Sequence, residues 1–200
     1  MTDYVDGYCE RVAPGLWGEP LNSLSNLAFL VAAVLVWRLA AGDRVGRLLA
    51  VLIGLVFVAS TVFHLVATRW AATADSVSIL VFVLVYVVLF ARVFHHWRWA
   101  WLAAPAFLAL TVVTALLGGG LYLSALIGLG IFAVLLAFRR DVYWTHFAVA
   151  GAVFALSLSL RTLDRDVCDY VPAGTHFLWH LLNGLALYLV SRTVIRRRTA

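Results

Sequence analysis

Seven apolar runs, each near the length of a bilayer crossing, constrain this chain more than any other feature. They fall at roughly 21–41, 47–68, 76–95, 99–118, 120–139, 144–162 and 174–195. About 20 residues of helix cross a hydrocarbon core, and a backbone in lipid must satisfy its own hydrogen bonds. The breaks are short: AGDRVG, TRWAATAD, HHWR, GGG, RRDVY and one longer loop, DRDVCDYVPAG. Short connections imply antiparallel neighbours. The expected fold class is therefore an all-α membrane protein, a seven-helix bundle. Residues 1–20 form an extramembrane segment, 21–195 the bundle and 196–200 a basic tail. The count turns on Gly118–Gly120. Without a turn there, the spans become six and the termini share a side.

Composition agrees. Of 200 residues, 64% are hydrophobic and 12% charged, and the mean hydropathy is +0.97. Soluble domains are nearer half apolar and a quarter charged. The net charge of +5 is carried without a lysine. The arginines are scattered at the ends of the runs, which points to membrane orientation rather than nucleic acid. With the N-terminus outside, Arg38, Arg44, Arg47, Arg92, Arg98, Arg139, Arg140, Arg192, Arg196, Arg197 and Arg198 lie inside. Only Arg11, Arg69, Arg161 and Arg165 lie outside. The positive-inside rule thus favours N-out, C-in. The opening residues, MTDYVDGYCE, lack a basic start and an early apolar core, so no cleavable signal peptide is expected. Cys9 and Cys168 both fall on the outer side, where disulfides form. A Cys9–Cys168 bond would tie the N-terminal segment over the mouth of the bundle. Closing so long a loop contributes roughly 3–5 kcal/mol in the chain-entropy view. The alternative is two buried free thiols.

Histidines inside membrane-length helices are rare and mark function. His176 and His180 stand four apart, on one helical face. His64 closes the second run, so all three sit in the same outer half of the membrane. Three imidazoles and an open position form the usual catalytic zinc arrangement. A histidine pair alone also suits a proton relay, a haem or interhelical hydrogen bonds. Ser60 lies one turn before His64, and Asp75 opens the third run. A carboxylate there can serve as general base or hold an imidazole in one tautomer, and a hydroxyl can donate to a developing oxyanion. Their plain alternatives are a back-bond to the helix for Ser60 and an N-cap for Asp75. Asn22, Asn26 and Asn183 read as interhelical hydrogen bonders, and His95, His96 and His146 as interfacial residues.

The set Ser60-x-x-x-His64, then Asp75, then His176-x-x-x-His180, over seven spans, resembles the alkaline ceramidase family. That family belongs to a wider membrane-hydrolase group with the progestin/adiponectin receptors and the Per1-like proteins. The opening YCER, the stretch from Trp17 to Asn26 (W-G-E-P-x-N-S-x-S-N) and Asp164-x-x-x-Cys168 are similar too. The resemblance implies that His64, His176 and His180 bind zinc, that Ser60 and Asp75 are catalytic, and that the cysteines are bonded. It implies hydrolysis of the amide of an N-acyl sphingoid base. It also implies calcium beside the zinc, with Glu10 and Glu19 as matching acidic ligands. The segment between those two is shorter here, and the carboxylate before the cysteine, Asp6, is displaced by a residue. Their alternative role is to cap the first helix.

Two functions follow. The first is a zinc-dependent intramembrane amidase acting on a ceramide-like lipid drawn from the bilayer. The second is a lipid receptor or sensor of the same fold with a structural zinc, since fold alone does not assign function. Asp75 and Ser60 favour the enzyme. A proton or ion transporter is disfavoured, because no chain of acids and bases runs through the inner half of the spans.

Overall fold

The computed structural model describes residues 3–199. Among them the regular structure is helical, with a single isolated antiparallel bridge between Tyr4 and Thr68. The helices are α1 (Pro20–Ser25), α2 (Leu27–Ala40), α3 (Arg44–Val66), α4 (Arg69–His95), α5 (Ala103–Leu116), α6 (Gly120–Phe138), α7 (Trp144–Leu163) and α8 (His176–Thr199). Because α1 and α2 form one bent rod, these are seven helical segments. Six are long and apolar enough to cross a membrane. The exception is the fourth: its first turn is a 3-10 helix, Ala100–Leu102, and α5 then runs only from Ala103 to Leu116.

The doubtful glycine break is a turn. Gly118 and Gly120 adopt φ of 82° and 65°, the left-handed region that a side chain disfavours. The third run begins earlier than expected. TRWAATAD is not a loop; α4 starts at Arg69, and the chain reverses over Ala67 and Thr68. Alanine is the strongest helix former, so this stretch extends the helix although it is polar. Asp75 therefore lies in the second turn of α4, with Thr68 at the N-cap position. At the other end, α8 continues to Thr199, so Arg196, Arg197 and Arg198 form its last turn.

The bend between α1 and α2 has a local cause. The Asn26 amide donates to the Asn22 carbonyl at 2.9 Å and to the Ser23 carbonyl at 3.3 Å. Side chains that compete for the helix ladder loosen it and let it turn.

Helix α8 lies at the centre, packed on α1, α2, α3, α4 and α7. It approaches α2 closely at Gly184, where a Cβ would stand 3.1 Å from Ala28. Below the polar end, the core is an aromatic stack in which Phe90 lies 3.7 Å from Phe132, edge-on to Phe147. At one end of the bundle, Asp43 caps α3 through Gly46 N at 2.9 Å and receives Arg198 at 3.0 Å. Burial pushes the Asp43 carboxyl up, but the bonds from Arg198 and Gly46 outweigh this and hold it below its ordinary value.

The N-terminal segment covers the opposite end. Val5 N donates to Ala67 O at 2.8 Å, and Gly15 N to Leu65 O at 2.8 Å. Cys9 and Cys168 form a disulfide, with Cα atoms 5.2 Å apart. The segment is thus clamped on both sides of the bundle mouth.

Candidate metal centre

The C-terminal end of α3 and the N-terminal end of α8 meet beneath this lid. They bring His64, His176 and His180 together, with one ligand nitrogen from each lying within 4.8 Å of the others. All three side chains are buried. Membrane-length helices end here at one depth, so an i, i+4 pair on one helix can face a single residue on another.

Hydrogen bonds fix which nitrogen two of the three imidazoles offer. His64 Nδ1 lies 2.9 Å from Glu19 Oε2. A carboxylate accepts, so Nδ1 carries the proton. His64 Nε2 is left buried without a partner. Ser25 Oγ donates to Asn22 O at 2.9 Å and lies 2.7 Å from His180 Nδ1. Its one hydrogen is already committed, so His180 Nδ1 must be the donor and Nε2 keeps the lone pair. His176 Nδ1 is likewise buried and unpaired, and Tyr8 stacks on the His176 ring at 3.8 Å. Uncommitted nitrogens converging in a closed site suit a cation of zinc's ligand preference, held by His64, His176 and His180. The second partner of each fixed imidazole is the kind that orients metal-binding histidines.

Asp164 sets the start of α8. Its Oδ1 accepts from Thr175 N at 2.6 Å and His176 N at 2.8 Å, and its Oδ2 from Cys9 N at 3.0 Å. One carboxylate thus caps the helix that carries two histidines and holds the lid to it. Gly174 makes this approach possible: its φ is 62°, and a Cβ there would collide with the Asp164 carboxylate.

The remaining expected residues fall in two groups. Ser60, buried, faces the Asp75 carboxyl, whose Oδ1 has no partner. Asp75 is outside the three-histidine cluster. It is not the N-cap considered for it, because α4 begins six residues earlier. Asn183, also buried, stands one turn beyond His180 with its amide nitrogen unpaired. Ser76 and Asn183 border an apolar cavity that runs between α4, α5, α6 and α8, lined by Ile79, Phe82, Phe107, Phe132 and Leu187.

Glu10 and Glu19 do not fit a calcium site. Glu10 caps α1, its two oxygens accepting from Leu21 N and Asn22 N at 2.8 Å each. The cap alternative thus describes Glu10. Glu19 is buried and bound to Arg11, Asn22 and His64. Calcium takes six to eight oxygen ligands, whereas a guanidinium and two helix N–H groups already hold these carboxylates. Burial pushes the Glu19 carboxyl up, to about 7, against the pull of Arg11. Burial also raises the Tyr8 phenol above its ordinary value.

Arg11, Ser25 and Tyr8 are the contributors that the pattern of residues did not single out. Ser25 carries a faint signal, as one of four polar residues among Asn22–Asn26 in an apolar run. Arg161, expected as an outer-side charge, lies 4.6 Å from the Tyr122 ring and 5.6 Å from the Trp179 ring, beside Asp75. Models of known protein families give no match to this chain, and neither do curated proteins.

Proposed function

We propose that the protein is a zinc-dependent intramembrane amidase that hydrolyses the N-acyl amide of ceramide-like lipids to a fatty acid and a sphingoid-type amine. The observation that carries this reading is the convergence of three buried imidazoles, two with their tautomers fixed, with Ser60 one turn before His64 on α3 and facing Asp75. A site for a purely structural ion would need neither the hydroxyl nor the free carboxylate oxygen. The adjoining apolar cavity suits an alkyl chain, with the polar head of the lipid toward Asn183 and the histidines.

Zinc bound by His64, His176 and His180 would supply Lewis acidity and lower the pKa of water. Asp75 takes a proton from water and passes it to the departing nitrogen. Ser60 donates toward the oxygen of the amide carbonyl as charge develops there. The oxygen of water joins the acyl carbon, the carbon–nitrogen bond breaks, one proton of water goes to the amine nitrogen through Asp75 and the other stays with the carboxyl product. Tyr8 and the rest of the lid keep bulk water from the histidines.

In this reading all seven helical segments cross the bilayer, the N-terminus and the site lie on the non-cytoplasmic side, and the C-terminus is cytoplasmic. The eleven-to-four arginine distribution and the Cys9–Cys168 bond at the lidded end support that orientation. The test is metal analysis together with product release from labelled ceramides by the purified protein. Stoichiometric zinc and turnover, both lost in His64→Ala, are the expected result. Zinc without turnover over a broad panel of N-acyl lipids and esters would transfer the assignment to a lipid receptor.

A further inference from the structure

Arg11 is the least expected member of the site. Its side chain is fully buried against Glu19, and the whole residue is 5% exposed. Its Nε donates to Glu19 Oε1 at 2.5 Å, and one terminal nitrogen donates to Val5 O at 2.7 Å. The guanidinium carbon lies 4.9 Å from the Tyr8 ring centre and 4.7 Å from that of Phe63. Tyr8 in turn stacks on His176. A buried charge needs a partner and a full set of hydrogen bonds, and Glu19 supplies the partner. The other Glu19 oxygen accepts from Asn22 Nδ2 at 3.1 Å and from His64 Nδ1. Arg11 also approaches His64 Nδ1 to 3.4 Å. Both are donors when the His64 Nδ1–H donates to Glu19, so this contact is no hydrogen bond.

We propose that Arg11 is a built-in cation that replaces calcium beside the histidine cluster and, through Glu19, positions His64 for its metal. The inference rests on the metal reading above. Calcium would neutralise a carboxylate here only while bound; a guanidinium fixed by the chain does so permanently. Two consequences follow. Metal binding at the histidines is indifferent to calcium. It also depends on Arg11 and Glu19, although neither is a ligand. Orienting partners of metal-bound histidines typically change metal affinity by about 10–100-fold.

The experiment uses the purified full-length protein with cobalt(II) as the probe, and zinc in competition with a chromophoric chelator. Wild type, Arg11→Met and Glu19→Gln are compared, with and without added calcium, and thermal unfolding reports which variants fold. The expected result is a tight cobalt complex in wild type that calcium does not alter. Each folded variant binds about 10–100-fold more weakly, with a changed ligand-field spectrum. A variant destabilised by general loss of packing alone would keep the wild-type spectrum. Wild-type affinity and spectrum in either folded variant would overturn the proposal, as would calcium tightening the wild-type complex. If Arg11→Met does not fold, Glu19→Gln alone decides, since it keeps side-chain size. If neither variant folds, Arg11→Lys decides: it keeps the charge without the fork, and weaker cobalt binding is expected against unchanged binding. A wild-type protein that binds neither cobalt nor zinc would instead sink the metal reading, and this inference with it.

Discussion

At the scale of single residues, the site is an arrangement of protons as much as of ligands. Ser25 holds His180 by accepting from Nδ1, because its own hydrogen is given to Asn22 O. Ser25→Ala removes that acceptor and is expected to weaken zinc binding about 10-fold or more, measured by chelator competition. Asp75 behaves differently, since it stands outside the cluster. Asp75→Asn should retain zinc and lose at least about 100-fold in ceramide hydrolysis, the scale of a general acid–base contribution. Loss of zinc with turnover preserved would reverse these roles. The histidines were legible in the sequence because helical periodicity places residues four apart on one face. Ser60 was legible for the same reason. Arg11 was not: nothing local distinguishes a buried arginine from a solvated one when a lid decides its environment. Glu10 and Glu19 look alike in sequence, but one meets a helix start and the other a guanidinium.

At the scale of elements, helix ends do most of the positioning. Asp164 holds the start of α8, and Asp43 holds the start of α3. The existence of the helices was readable from run length, whereas their boundaries were not. Alanine-rich TRWAATAD joined α4, and the fourth run proved too short for an uninterrupted helix. Polarity suggested a loop where backbone propensity favoured a helix. Asp43 offers a test with a defined pH signature. Its folded pKa lies below the ordinary value of 3.8, so its contribution is full above that value and disappears as pH falls through the lower folded value. Asp43→Asn keeps the cap but loses the ion pair with Arg198, and should therefore lower stability by about 0.2–1 kcal/mol at neutral pH. The gap from wild type should close in strong acid. Thermal unfolding in detergent at both pH values reads this difference, and a gap that widens in acid would contradict it.

At the scale of the whole molecule, one covalent bond joins a lid at the start of the chain to the loop before its final helix. Opening it by Cys9→Ser should destabilise the protein by about 3–5 kcal/mol if the chain-entropy account holds. It should also release Tyr8 from His176, increasing proteolysis of the N-terminal segment in limited digestion. Unchanged protection there would show that the backbone bonds to Leu65 and Ala67 suffice. The lid also gives the molecule a history. Cys9 and Cys168 are 159 residues apart, and a ribosome adding about 5–20 residues per second needs roughly 10–30 s to cover that interval. Through that time the nascent chain carries at most one imidazole of the cluster, His64, and an unpaired thiol. The other two imidazoles emerge only after Cys168, so oxidation and completion of the cluster both wait until the six earlier helical segments have been made. A ribosome that stalls before Cys168 releases a product with neither, which leaves quality control a simple distinction between finished and unfinished copies.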